Sequence, residues 1–155
     1  MLVPPKKNQY ALRAIFELAK HTDQGPIKIS DIAAAQSIPL RFLEVILNQL
    51  KASGIVDSKR GFYGGYFLVK PPGQVSVGDV LRFLGRDLPI DDCIACVSTS
   101  HCPFDGQCAF SNLWTQVKKA AFTIYDDTSF QDLIDREQAA GRSESLSGRG
   151  SRPNR

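Results

Sequence analysis

Outside one 16-residue stretch, Cys93 to Cys108, this 155-residue sequence has no cysteine. A disulfide framework spread over the fold is therefore excluded. Two histidines and a single tryptophan are also all it has of those types. No Ser/His pair or carboxylate pair stands at a catalytic spacing, so an enzyme, including a small thiol-exchange or electron-transfer protein, is disfavoured. No uncharged apolar run approaches the roughly 18 residues of a membrane span. Met1-Leu-Val-Pro-Pro-Lys-Lys lacks the apolar segment of a signal peptide, so the expected location is cytoplasmic.

What is present suffices for a core. Hydrophobic residues make up 43%. Charge is unevenly spread. Residues 1–70 carry a net +5, residues 71–140 a net −5, and residues 141–155 a net +3. The basic first part suits a polyanion.

Apolar spacing predicts the elements. Ala11, Leu12, Ile15, Leu18 and Ala19 mark a first helix, with Asn8 as its cap. Ser30 is expected to cap a second helix, with Asp31 in its first turn. Pro39 reads as the first position of a third, striped by Leu40, Leu43, Leu47 and Leu50 and ended by Gly54. Residues 55–60 and 66–70 read as two strands around Gly61-Phe-Tyr-Gly-Gly65. Ser76 should cap a further short helix. Leu113, Val117, Ala120, Ala121 and Ile124 lie along one long helix, and Thr128 with Gln131 reads as the capping box of a last short one. The tail from Gly141 reads as disordered and basic.

The fold class expected is mainly α with a small β-hairpin wing: a winged helix-turn-helix plus a long dimerisation helix. Residues 1–72 form the DNA-binding region, 73–140 a cysteine loop and dimerisation helix, and 141–155 the tail. Arg41, Glu44, Asn48 and Lys51 are exposed on the second helix of the motif, and Arg41, Glu44 and Asn48 suit base edges. Lys59 and Arg60 suit phosphates, and Gly61, Gly64 and Gly65 shape the wing. Ser30, Pro39 and Leu40, at the helix starts, complete the candidate DNA-binding set. A protein-interaction winged helix is the alternative.

The cysteines Cys93, Cys96, Cys102 and Cys108 are spaced by two, five and five residues among turn formers. Thiolates on such a segment can wrap an iron–sulfur cluster. Structural zinc uses two paired knuckles, and only Cys93 and Cys96 form one. Zinc and a metal-free thiol switch remain the alternatives.

These residues together resemble the IscR/NsrR superfamily of bacterial winged-helix transcription regulators. The resemblance rests on Tyr10-Ala-Leu-Arg-Ala14, Ile29-Ser-Asp-Ile-Ala33, Phe42-Leu43-Glu44, Arg60-Gly61, Gly64-Gly65-Tyr66 and Leu113-Trp114. It also rests on Cys96, Cys102 and Cys108, which match the family's cluster ligands. It implies a homodimer on a roughly palindromic double-stranded DNA operator, with Leu113, Val117, Ala120, Ala121 and Ile124 on the dimer helix. It also implies an iron–sulfur cluster that sets DNA affinity and reports redox state, nitric oxide or iron–sulfur status; a 2Fe–2S cluster is favoured over 4Fe–4S. The chain departs from the family at the fourth ligand. Ser111 stands where one branch has histidine, and Gln9 where another has aspartate. Cys93 is the natural substitute and His101 the second choice. Phe62-Tyr63 replaces the usual Pro-Gly of the wing, either packing back on the hairpin or lying against the DNA backbone.

Overall fold

The computed structural model describes residues 4–85 and 108–147. Helix α1 (Lys6–Lys20) leads to α2 (Ile29–Gln36) and α3 (Leu40–Ala52), followed by the antiparallel strands β1 (Val56–Lys59) and β2 (Gly65–Leu68). Helices α4 (Val77–Leu84), α5 (Ser111–Asp126) and α6 (Phe130–Ser147) complete the described chain. The expected class, helical with a two-stranded wing, is what forms.

The predicted stripes of α1 and α3 form the core, except that Leu12 is half-buried and Leu40, at the start of α3, is 45% exposed. Ala11, Ala14, Ile15 and Leu18 of α1 meet Ile32 of α2 and Leu43, Ile46, Leu47 and Leu50 of α3. Each large aliphatic side chain buried there contributes about 1.5–3 kcal/mol. Val56 and Leu68, paired across the hairpin, seal its base. The same core continues past Pro72. Val75, Val80, Phe130 and Ile134 belong to it, so α4 and α6 close the winged helix from below.

The turn between α2 and α3 is fixed by backbone geometry. Ser37 adopts a left-handed conformation at φ 50° and ψ 47°. The Ile38 N–H then donates to the Ala33 carbonyl at 3.0 Å, and the Ile38 side chain drops into the core. Pro39 flanks α3 in an extended conformation, its carbonyl accepting from the Leu43 N–H at 3.1 Å.

Several caps differ from those predicted. Helix α1 begins at Lys6 behind Pro5, which places Asn8 inside the helix and buries it. Helix α2 begins one residue before Ser30, with Lys28 as its extended flank, and the Ser30 hydroxyl donates to the Asp31 carboxylate at 3.3 Å. Ser76 caps α4 as expected, in a reciprocal box with Asp79 at 3.0 and 3.1 Å. The box of α6 uses Ser129 and Asp132, at 2.8 and 3.1 Å, while Thr128 instead donates to the Ile124 carbonyl at the end of α5. Helix α6 is long rather than short and runs through Gly141 to Ser147.

One buried carboxylate ties the first two helices together. Glu17 of α1 is 5% exposed. It accepts from Gln36 Nε2 at 2.6 Å and pairs with Lys20 at 2.9 Å and His21 Nε2 at 3.0 Å. Arg13 reaches across to the Gln36 side chain and carbonyl. Burial pushes the Glu17 carboxyl up. The hydrogen bonds from Gln36 and Lys20, the Lys20 charge and the His21 bond outweigh it, so its pKa lies below the ordinary 4.5. A carboxyl depressed by folding stabilises the fold above its unfolded pKa, and that stabilisation is lost as pH falls through the folded value. Glu17→Ala is therefore expected to cost about 2 kcal/mol at neutral pH, because it strands polar partners of Glu17. The gap from wild type in thermal melts should narrow below pH 4.5. An unchanged gap would show that the ionised carboxylate is not the source.

Candidate nucleic-acid interface

The face of the motif away from the core is assembled by α3 and the wing. Arg41, Glu44, Val45, Asn48 and Lys51 are all exposed on α3, opposite buried Leu43, Ile46, Leu47 and Leu50. Arg41 offers a bidentate donor, Asn48 a paired donor and acceptor, and Glu44 an acceptor. These are the groups that base edges in a major groove recognise. Lys51 is drawn aside. Its ammonium donates to Ser58 Oγ at 2.6 Å and lies 3.8 Å from Asp57, so it braces α3 against β1.

The wing projects beside this helix. The strands pair from Val56↔Leu68 to Lys59↔Gly65. The tip turns through Gly61 at φ 118°, and the Gly64 N–H closes it on the Gly61 carbonyl at 3.0 Å. Gly64 is buried, and a Cβ there would overlap the Lys59 carbonyl. Lys59 and Arg60 are exposed at the mouth of the tip. Phe62 and Tyr63 do not pack back on the hairpin. They are 80% and 84% exposed and meet edge to face at 5.0 Å. Lys28, from the start of α2, sits 5.3 Å over the Phe62 ring. The tip thus carries two exposed aromatic rings, with Lys28 over Phe62 and with exposed Lys59 and Arg60 just before them in the chain. Lys28 escaped sequence reasoning because only the fold brings it to the wing.

Leu113, Val117 and Ile124 of α5 are 49%, 36% and 66% exposed, Ala120 is exposed and Ala121 half-buried. No residue of α5 is buried, so its apolar stripe is uncovered in the single chain. The helix is anchored at its C-terminal end. Asp126 accepts from Arg82 of α4 and lies against Gly78, where a Cβ would overlap its carboxylate.

Of the candidate metal ligands only Cys108 lies within the described residues; Cys93, Cys96, His101 and Cys102 lie outside them. Cys108 is half-buried with a free thiol, and its carbonyl accepts from the Ser111 N–H at 3.1 Å as α5 begins. Among the described residues no group of three or more His, Cys, Asp and Glu could hold a metal, and no helix is long and apolar enough to cross a membrane.

A family model for Rrf2, described as an iron-dependent transcriptional regulator, matches residues 5–136. The chain belongs to the Rrf2 family. It is 28% identical over 149 residues to the HTH-type transcriptional regulator IscR of Cronobacter sakazakii, covering 96% of this chain and 90% of that protein. Among solved structures it is similar to T. potens IscR, with a TM-score of 0.73, 28% identity, and 89% and 90% of the two chains covered. It is also similar to CymR, the global cysteine regulator of B. subtilis, with a TM-score of 0.70, 31% identity, and 88% and 98% covered. This Rrf2 protein is thus a winged-helix transcription regulator.

Proposed function

We propose that this Rrf2 protein is a homodimeric regulator whose operator affinity is set by an iron–sulfur cluster bound at Cys96, Cys102 and Cys108, with Cys93 as the fourth ligand. The observation that carries this reading is the position of Cys108. It ends the cysteine stretch and lies three residues before α5, the helix whose apolar face is uncovered in the single chain. The cysteine stretch therefore lies in the segment that joins α4, rooted in the winged-helix core, to α5.

The donor set fits the group. Four thiolates within 16 residues are the ordinary ligands of 2Fe–2S and 4Fe–4S clusters. When bound, the group supplies reactivity toward oxidants and nitric oxide. The chain's part is mechanical. A cluster held by thiolates at both ends of the stretch would bring Cys93 near Cys108, and so would fix where α5 leaves α4. Across the dimer this sets the separation of the two α3 helices, which a palindromic operator requires to be about one DNA turn. Releasing the thiolates shifts the dimer to other spacings and weakens binding by population shift. Arg41, Glu44 and Asn48 read bases while Lys28, Lys59 and Arg60 hold phosphates.

The test is an anaerobic preparation of the full chain, with its visible spectrum and its iron, acid-labile sulfide and zinc contents. Visible absorption with matched iron and sulfide is expected, and it should vanish when Cys96, Cys102 and Cys108 are all replaced by Ala. Operator affinity should change between the loaded and the apo protein. A colourless protein holding zinc, or no metal, would replace the cluster by a structural knuckle or a bare thiol switch.

A further inference from the structure

We infer that Val45 reads a thymine methyl group in each operator half-site; the inference deepens the DNA-binding reading and rests on it. At 3.6 residues per turn, Arg41, Glu44, Val45 and Asn48 share the outward face of α3. Val45 lies at one edge of this face, beside Arg41 and Asn48, and is 55% exposed, although it does nothing for the core. Its exposure is not shared by the apolar stripe of the same helix, where Leu43, Ile46, Leu47 and Leu50 are at most 1% exposed.

An apolar side chain at that place has a definite chemical consequence. Docking the face into a major groove strips water from whatever Val45 abuts. A base-edge donor or acceptor there would lose its water and gain no partner. The one methyl group that base pairs present in the major groove is the C5-methyl of thymine, which offers far more apolar surface than the C5–H of cytosine. Arg41 and Asn48, one turn to either side, supply hydrogen bonds to the flanking bases and fix the register in which Val45 meets that methyl. Val45 is β-branched and stiff at χ1, so its methyl groups are held in place with little entropy left to lose. The other exposed apolar side chains of the helix, Leu40 and Phe42, are 45% and 62% exposed and lie on its shoulders, away from the centre of this face.

The experiment starts from the full chain, purified anaerobically, and a random duplex pool from which it selects its preferred operator. Each thymine of the selected site is then replaced singly by deoxyuridine, which removes the methyl and leaves every hydrogen-bonding group. Affinity should fall about fourfold at one thymine per half-site, the factor that burying one methyl is worth, and stay unchanged at the others. Val45→Ala should bind the thymine and uracil versions of that position equally. Circular dichroism should show this variant folded, since it removes only exposed atoms. If no thymine is sensitive, or if Val45→Ala keeps the full discrimination, the inference is overturned while DNA binding stands. If the pool yields no enriched sequence at all, the sequence-specific DNA-binding reading fails and this inference falls with it.

Discussion

Replacing both Leu113 and Ile124 with glutamate is expected to convert the proposed homodimer to a monomer and lower operator affinity by a factor of about a hundred to a thousand. The two residues lie on the α5 stripe with Val117, Ala120 and Ala121, at the three- and four-residue spacing of a helix seam. They are 49% and 66% exposed in the single chain, so they do not support its own fold. In a twofold dimer each would be buried twice, once from either copy. Every large aliphatic side chain removed from water contributes about 1.5–3 kcal/mol, and a buried unpaired carboxylate reverses the sign. The loss in DNA binding follows from linkage rather than from any lost DNA contact. A dimer that holds one half-site binds the second at high effective concentration, which commonly strengthens binding 10²–10⁴-fold. Light scattering would give the mass, and fluorescence anisotropy the operator affinity. Circular dichroism should be unchanged, because the α4–α5 anchor at Gly78, Arg82 and Asp126 is untouched. A double variant that stays dimeric would move the interface off α5.

The contrast between legible and illegible features is physical. The stripes of α1 and α3 were readable because burial on one helix face leaves a period in the sequence. The wing was readable because glycines gather where backbone must turn. Caps were less so. Thr128 and Ser129 are adjacent and chemically alike, and local sequence does not choose between them. The choice is made by tertiary pairing: Val77 N–H donates to the Thr128 carbonyl at 2.9 Å and Phe130 N–H to the Val75 carbonyl at 3.1 Å. That register leaves Ser129 at the head of α6. The length of α6 was hidden for a related reason. Its last turns are polar and Gly141 interrupts them, yet Phe130 and Ile134 are docked in the core and give the helix a fixed start. Glu17 lies off the apolar stripe of α1, so its burial was not readable from spacing, and its partner Gln36 comes from another helix. At the candidate site the polar side chains of α3 were legible from spacing alone. Val45 needed the observation that it is exposed, because an apolar residue off the stripe reads equally as core or surface.

Gly65→Ala is expected to cost about 3 kcal/mol or more and to lower the melting temperature by about 10 °C. Gly65 opens β2 at φ 154°, a conformation that side chains rarely adopt. A Cβ there would overlap the carbonyl group of Ile27 and come within 2.9 Å of the Ile27 nitrogen. These are backbone atoms and cannot swing away as a side chain would. They are also pinned, because Ile27 and Tyr66 exchange hydrogen bonds of 2.8 and 2.9 Å that fasten the wing to the chain entering α2. Relief of the clash must break that bridge or push β2 away from it. Gly25→Ala is the control. Gly25 has φ 85° but nothing within 4 Å of a Cβ, so it should lose only the conformational cost of about 1–2 kcal/mol. The difference between the two melts isolates the close approach from the backbone angle. The wing variant should also lose operator affinity at temperatures where it is still folded, because Lys59, Arg60 and the aromatic tip move with β2, whereas the Gly25 variant should not. Equal melting temperatures for the two would mean that the wing is not fastened at Ile27.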